Sequence, residues 1–204
     1  MKKNSKFVYL ISPKKIKSNF FYNDLINIFK SKKVFYFQLR LKNEKPRKIV
    51  FIGKKIKKIC KRFNVKLIIN DSPLLAKKIG ADGCHLGQSD YSVRYARNIL
   101  KKKIIGVTCH NSKKLIKKAI IDKPSYIAIG AFFSSKTKKV KYKASIELLK
   151  MAKKMTKIPI VVIGGINFKN YKKLILNKAN FLAISGYIWN NKKLNPFEAL
   201  NKLK

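Results

Sequence analysis

Short apolar segments alternate with amphipathic segments along the chain, and this alternation predicts repeated strand–helix units. The apolar segments are rich in Ile, Val, Leu and Phe and lack a polar alternation, which is typical of strands buried on both faces. The predicted strands span residues 7–11, 34–39, 67–70, 83–86, 103–106, 125–129, 159–163 and 181–184. The predicted helices span residues 20–31, 45–63, 72–79, 90–101, 111–121, 143–156, 167–178 and 196–203. Eight such units predict an α/β fold, a (β/α)8 TIM barrel.

Residues at the segment ends support this pattern and indicate one domain over residues 1–204. Ser72 followed by Pro73 is a typical helix start, and Gly80 can end that helix in a left-handed conformation. No linker-like or low-complexity tract interrupts the units, and 204 residues suffice for one sizeable core.

The chain is strongly basic, with a formal charge of +42 from 50 Lys and Arg against 8 Asp and Glu. Nucleic-acid binding is one interpretation of this charge. The basic residues are scattered, however, and 45 are Lys against 5 Arg, whereas Arg is the usual choice for bidentate phosphate contacts. The chain also carries 27 Ile against 9 Val and 17 Asn, so a bias toward A/T-rich codons is the favoured explanation. We therefore expect no specific nucleic-acid partner.

Cysteine usage and hydropathy indicate a cytoplasmic protein. The three cysteines have no metal-type spacing, and a reducing compartment with free thiols explains them simply. No apolar run approaches the length needed to cross a bilayer, so we expect no membrane association. The oligomeric state is left open.

Two carboxylates follow neighbouring predicted strands in the block LIINDSPLLAKKIGADGCHLGQSD. Asp71 lies past LIIN and Asp90 past CHLG, and the carboxyl ends of parallel strands share one face of a barrel. A hard cation such as Mg²⁺ is bound by such oxygen ligands. The alternative is that either residue is only a helix cap, which Asp90 before YSVRYARNIL resembles.

Two further motifs carry polar side chains at predicted strand ends. In QLRLK, strand periodicity directs Gln38, Arg40 and Lys42 to one side, where they would suit a diphosphate, although such a motif also arises by chance in so basic a chain. In GVTCH, Thr108 and His110 could bind a heterocycle or a phosphate, with a core or capping His as the alternative.

The remaining candidate motifs are loops at the ends of the last three predicted strands. GAFFSSKTK, which contains Ser135, Thr137 and Lys138, is rich in hydroxyls and ammonium groups, like a flap over a phosphate, or is simply a Lys-rich surface loop. Gly165 follows the seventh strand, and Ile184-Ser185 lie at the end of the eighth. The loops after strands seven and eight of TIM barrels often bind a phosphate.

In this order, the blocks QLRLK, IND with GADG and HLGQSD, GVTCH, SSKTK, IGGI and AISG resemble the thiamine-phosphate synthase and thiazole tautomerase superfamily, most closely the synthases. The resemblance implies a Mg²⁺-dependent transferase of thiamine biosynthesis that joins a pyrimidine diphosphate to a thiazole phosphate and releases pyrophosphate. It implies catalytic roles for Arg40, Lys42 and Lys138 and Mg²⁺ ligation by Asp71 and Asp90. The implied substrate-binding residues are Gln38, Arg40, Lys42, Asn70, Thr108, Ser135, Thr137, Lys138, Gly165, Ile184 and Ser185.

Several positions depart from the family pattern. Leu41 stands where the family usually has an acidic residue, Ser134-Ser135 replace Pro-Thr, and Thr108 replaces Ser. A tautomerase or a degenerate member of the family is therefore the second hypothesis. Retention of Asp71, Asp90 and Lys138 favours the synthase.

Overall fold

A computed structural model describes residues 6–16, 18–134 and 142–204. Eight parallel strands close into a barrel in which each strand pairs with its neighbours in the sequence and β1 pairs with β8. The strands are β1 Val8–Ile11, β2 Val34–Leu39, β3 Lys66–Asn70, β4 Gly83–Leu86, β5 Ile104–His110, β6 Tyr126–Gly130, β7 Ile160–Ile163 and β8 Phe181–Ile184. The predicted TIM barrel is confirmed.

Helices connect the strands on the outside of the barrel. They are α1 Phe20–Lys30, α2 Pro46–Arg62, α3 Pro73–Ile79, α4 Val93–Leu100, α5 Lys113–Asp122, α6 Ile146–Met155, α7 Tyr171–Leu176, α8 Gly186–Trp189 and α9 Pro196–Asn201. Ser72 accepts a hydrogen bond from Leu75 N as the cap of α3, and Gly80 ends that helix at φ 72°, as predicted.

Three elements differ clearly from the prediction: β5, α8 and α7, which spans only Tyr171–Leu176 of the predicted 167–178. Strand β5 continues to His110, four residues past the predicted end at Gly106, with an irregular register between Thr108 and His110. Helix α8 was not predicted, because four residues are too few to show a helical period.

The core has two layers. A large apolar layer lies between the strands and the helices, and a smaller cluster fills the barrel interior. The interior contains three tyrosines, Tyr9, Tyr36 and Tyr126, whose ring centroids lie 5.2–5.6 Å apart. Aromatic rings at such distances pack favourably and leave little space in the barrel.

The barrel closes through contacts at the carboxyl end of β1. Ser12, which is 3% exposed, donates its N–H to Gln38 O at 2.9 Å, and its hydroxyl accepts from Arg40 N at 3.0 Å. Ser185 Oγ donates to Ser12 O at 3.2 Å. The ends of β1, β2 and β8 are thereby fixed to one another around the mouth.

Asp82 lies at the opposite end of the barrel from Asp71 and Asp90. It precedes β4, and its Oδ2 accepts from Leu67 N at 2.7 Å and pairs with Lys57 Nζ at 2.8 Å. This carboxylate therefore ties α2 to the amino end of β3 and takes no part in a site at the mouth.

Cys60, Cys84 and Cys109 are free thiols in the buried core, as expected. Burial raises the pKa of Cys84 and of Cys109 to about 12, so both stay protonated near neutral pH. Within residues 6–16, 18–134 and 142–204, no helix is both long enough and apolar enough to span a bilayer.

Candidate active site

The structure brings Asp71 and Asp90 together at the mouth of the barrel. Asp71 follows β3 in a left-handed conformation, φ 64°, and its N–H donates to His85 O at 2.8 Å. Burial raises the pKa of Asp71, and a hydrogen bond to the Asp90 carboxyl raises it further. Two carboxylates in contact repel each other when both are ionised, so a cation between them is favourable.

Asp90 is not the cap of α4, so that alternative was wrong. Ser92 caps this helix by accepting from Tyr95 N at 3.1 Å, and Asp90 Oδ2 instead accepts from Gly87 N at 2.7 Å. The hydrogen bond from Gly87 N–H holds one oxygen of the Asp90 carboxyl in the loop after β4, and the carboxyl lies next to that of Asp71.

Lys42 is the cation that balances this pair. Its Nζ lies 3.2 Å from Asp71 Oδ2, and the Lys42 side chain is 52% exposed. The ion pair lowers the pKa of Asp71, opposing the stronger effects of burial and of Asp90. A bound cation would thus compete with Lys42 for Asp71, and a phosphate would compete with Asp71 for Lys42.

Gln38 and Arg40 take different positions from Lys42. Strand β2 ends at Leu39, so the alternation of side chains along a strand, which predicted that all three point the same way, does not extend to Arg40 and Lys42. Gln38 is 3% exposed and points inward, within hydrogen-bonding reach of the Tyr9 hydroxyl. Burial lowers the pKa of the His85 imidazole, the Asp90 charge opposes this, and the half-buried Arg40 is close enough for its charge to lower that pKa further.

Thr108 joins a hydrogen-bonded pair that the sequence did not single out. Its Oγ1 lies 2.8 Å from His85 Nε2, and His85 Nδ1 lies 2.9 Å from the Tyr126 hydroxyl. Asn70 pairs in register with His85 across β3 and β4. The only sequence signal for His85 was its place in HLGQ, next to the two carboxylates.

The loop after β7 lies against the loop after β6. Gly165 has φ 60°, and a Cβ atom there would come within 2.2 Å of Ser134 O, so only glycine fits. Phe132 N donates to Ile163 O at 3.0 Å, and Phe133 N donates to Gly164 O at 3.1 Å. Both the positive φ of Gly165 and the close approach of Ser134 O therefore require glycine at this position.

Ile184 and Ser185 lie at the end of β8, where Ile184 is buried and Ser185 precedes α8. Ser135, Thr137 and Lys138 lie outside the described residues. The remaining predicted positions all follow or end a strand at the one mouth: Gln38, Arg40, Lys42, Asn70, Asp71, Asp90, Thr108, Gly165, Ile184 and Ser185.

Comparison with known proteins decides the family. The family model described as "Thiamine monophosphate synthase" matches residues 8–188. The chain belongs to this family. It is 64% identical over 201 residues to the thiamine-phosphate synthase of Pelagibacter ubique, covering 98% of this chain and 97% of that protein. It is 36% identical over 185 residues to the thiamine-phosphate synthase of Rhodospirillum centenum, covering 90% and 89%.

A solved structure shows the same fold. The thiamine phosphate pyrophosphorylase of Pyrococcus furiosus superposes with a TM-score of 0.85 at 23% identity, covering 98% of this chain and 94% of that one. This likeness supports the barrel fold.

The departures from the thiamine monophosphate synthase pattern have local explanations. Leu41 is 3% exposed and packs in the outer apolar layer, so this position lies in the core and not at the mouth. Thr108 keeps the hydroxyl that Ser would supply, and the thiol of Cys109 is buried behind it. No departure among the described residues removes a charge from the mouth.

Proposed function

We propose that this protein is a thiamine-phosphate synthase. It joins 4-amino-2-methyl-5-(diphosphomethyl)pyrimidine to a thiazole phosphate and releases pyrophosphate, as a single barrel domain over residues 1–204. The observation that carries the proposal is the contact between the Asp71 and Asp90 carboxyls beside Lys42, in a chain of this family.

Asp71 and Asp90 would hold Mg²⁺, and their chemistry fits this ion. The described residues contain no cluster of three or more His, Cys, Asp or Glu side chains that could hold a metal by itself. Mg²⁺ is commonly bound by one or two carboxylates together with substrate phosphates and waters. We therefore expect metal binding to depend on the diphosphate; when bound, the ion would neutralise charge on that leaving group.

Arg40, Lys42 and Lys138 are the proposed cations for the leaving diphosphate. Lys42 already lies at the carboxylate pair, so it can move from Asp71 to a phosphate oxygen when substrate and metal arrive. Gln38 and Asn70 would also bind the pyrimidine diphosphate, and Thr108 would contact its pyrimidine ring. The flap residues Ser135 and Thr137 are proposed to contact the thiazole phosphate, together with Gly165, Ile184 and Ser185.

The reaction makes demands that these residues can meet. The bond between the pyrimidine methylene carbon and the diphosphate oxygen breaks, and its electron pair leaves with diphosphate. The ring amine stabilises the resulting cation, and the thiazole nitrogen supplies the electron pair of the new bond. Such a reaction needs charge neutralisation and alignment of two rings more than it needs a general base.

The direct test is to mix purified protein, Mg²⁺ and both substrates and to measure thiamine phosphate and pyrophosphate. We expect both products in equal amounts and none after divalent metal is removed by a chelator. Conversion of thiazole tautomers without condensation would instead indicate the tautomerase activity and overturn the proposal.

The flap assignment has its own test in Lys138→Ala, with Lys139→Ala as the matched control in the same Lys-rich segment. Loss of a charge that meets the leaving diphosphate is expected to lower kcat by about 100-fold or more. The melting temperature should stay within about 1 °C, because the proposed role of Lys138 is to contact the substrate and not to stabilise the fold. Equal activity of the two variants would contradict the assignment.

A further inference from the structure

Below the mouth, a chain of hydrogen bonds crosses the barrel interior. It runs from Thr108 Oγ1 to His85 Nε2 at 2.8 Å, from His85 Nδ1 to the Tyr126 hydroxyl at 2.9 Å, and from there to the Tyr9 hydroxyl at 2.7 Å. These hydrogen bonds therefore link β5 to β1 through residues of β4 and β6.

Aromatic packing fixes the members of this chain. The His85 ring stacks on Tyr126 with centroids 5.6 Å apart and planes at 11°. Tyr126 and Tyr9 also pack edge to face, and Tyr36 lies against both. Because Tyr9 and Tyr126 are fully buried, the imidazole cannot rotate without breaking two hydrogen bonds in a region with no room to replace them.

A neutral imidazole in this position gives the chain a direction. The Thr108 and Tyr126 hydroxyls lie 2.8 Å from Nε2 and 2.9 Å from Nδ1, and each can donate or accept, so a ring with one N–H satisfies both contacts. One ring nitrogen then donates and the other accepts. The Thr108 hydroxyl can therefore be only the acceptor or only the donor toward His85, not both at once.

We propose that His85 is a positioning residue that fixes the orientation of the Thr108 hydroxyl toward the pyrimidine substrate, with Tyr126 and Tyr9 fixing His85. The inference rests on the proposed function, in which Thr108 meets the pyrimidine. It assigns a role to three residues, His85, Tyr126 and Tyr9, that hold neither the metal nor the diphosphate in the proposed function.

A fixed hydroxyl would distinguish pyrimidines by their ring edge. A 4-aminopyrimidine presents an N–H donor next to a ring-nitrogen acceptor, whereas the 4-oxo analogue presents an acceptor next to an N–H donor. When His85 Nε2 accepts the Thr108 proton, the hydroxyl oxygen faces the substrate as an acceptor, which pairs with the 4-amino N–H and leaves the 4-oxo oxygen unpaired. This hydrogen-bonded chain would thus contribute selectivity for the 4-amino form of the pyrimidine.

The first test uses the protein without substrate. The sequence has two histidines, so ¹⁵N-histidine labelling gives a simple spectrum, and a His110→Asn variant assigns it. We expect His85 to show one protonated and one unprotonated ring nitrogen at pH 7, each shifted in Tyr126→Phe and in Thr108→Val. Tyr36→Phe is the matched control, because among the described residues its hydroxyl makes no hydrogen bond to the chain. Two averaged ring nitrogens would overturn the proposal.

The second test is kinetic. Asn at position 85 places an amide near the site of Nδ1 and keeps the link to Tyr126, whereas Gln reaches the site of Nε2 and can keep the link to Thr108. We expect His85→Asn to lower kcat/KM for the pyrimidine diphosphate about tenfold, as for loss of one hydrogen bond. His85→Gln should recover most of that activity, and KM for the thiazole phosphate should stay unchanged in both.

A double mutant separates positioning from general damage. If His85 acts through Thr108, adding His85→Asn to Thr108→Val should change kcat/KM less than twofold further. Additive losses, or an equal loss in His85→Gln and His85→Asn, would overturn the inference. A wild-type enzyme that forms no thiamine phosphate would overturn the proposed function instead, while the nuclear magnetic resonance result would still test the hydrogen-bonded chain.

Discussion

Asp90 has one observed partner, the Gly87 N–H, and one proposed partner, Mg²⁺, and a single substitution separates them. The Gly87 N–H needs any oxygen acceptor, which an amide supplies, whereas Mg²⁺ needs a carboxylate charge. We expect Asp90→Asn to keep its melting temperature within about 2 °C of wild type and to lose about 100-fold or more of metal-dependent turnover. Thermal unfolding and a Mg²⁺ titration of activity measure the two effects.

Asp122→Asn is the matched control, since Asp122 ends α5 and is exposed. It removes the same charge from the molecule without touching the mouth. Full activity in Asp90→Asn would remove the metal site from the proposed function.

The neutral state of His85 has a consequence for stability at acid pH. Its pKa is about 4 in the folded protein, against 6.5 as the ordinary value. Between these values the unfolded chain binds a proton that the folded one does not, so the free energy of unfolding falls as pH drops from 6.5 to 4. We expect the melting temperature of His85→Gln to fall by roughly 2–6 °C less than that of wild type across this range. Parallel pH profiles of the two proteins in calorimetry would contradict this.

At the scale of elements, α3 places the first metal-ligand candidate. The helix begins directly after Asp71, and Ser72 Oγ accepts from Leu75 N at 3.1 Å. Ser72→Ala removes this cap and is expected to cost about 1 kcal/mol, or roughly 2–4 °C in melting temperature. Ser72→Asn keeps a capping oxygen and should remain near wild type. Equal losses in both variants would show that the cap is not the cause.

The elements also show what the sequence could predict. Each strand is a short apolar run between helical segments, and the number eight matches a closed barrel, so the fold could be predicted from periodicity. The nearness of Asp71 and Asp90 followed as well, because they come after consecutive parallel strands. Helix α8 and the extension of β5 to His110 did not follow, because both occur in segments too short for a periodic signal.

The hydrogen-bonded chain could not be predicted in the same way. Tyr9, His85, Tyr126 and Thr108 come from four different strands, and their contacts depend on the stagger of the closed barrel. In the sequence, Tyr9 and Tyr126 look like ordinary strand aromatics. The roles of the mouth residues remain predictions, and the family and the fold are confirmed.

At the scale of the whole molecule, the charge of +42 is balanced by few acidic groups. Among the described residues three ion pairs occur, Lys42–Asp71, Lys48–Glu44 and Lys57–Asp82. Repulsion between the remaining cations opposes the compact state, and salt screens it. We expect the melting temperature to rise by a few degrees between about 20 mM and 300 mM NaCl.

The matched comparison is sodium sulfate at equal ionic strength, which separates screening from anion binding at the mouth. A melting temperature that falls with NaCl would show that attractive ion pairs outweigh repulsion. Binding of random-sequence DNA should weaken steeply over the same range, since contacts made only to phosphates release counterions. Salt-resistant binding to one sequence would favour the nucleic-acid interpretation.

The three buried thiols are natural probes of local opening in this barrel. Cys60 lies on α2, Cys84 on β4 and Cys109 on β5, all within the core. Each is protonated and inaccessible in the closed protein, so a thiol reagent reacts only when the surrounding layer separates. Comparing the three labelling rates, with no engineered probe, would tell whether the helical shell detaches from an intact barrel wall or whether both come apart as one cooperative unit.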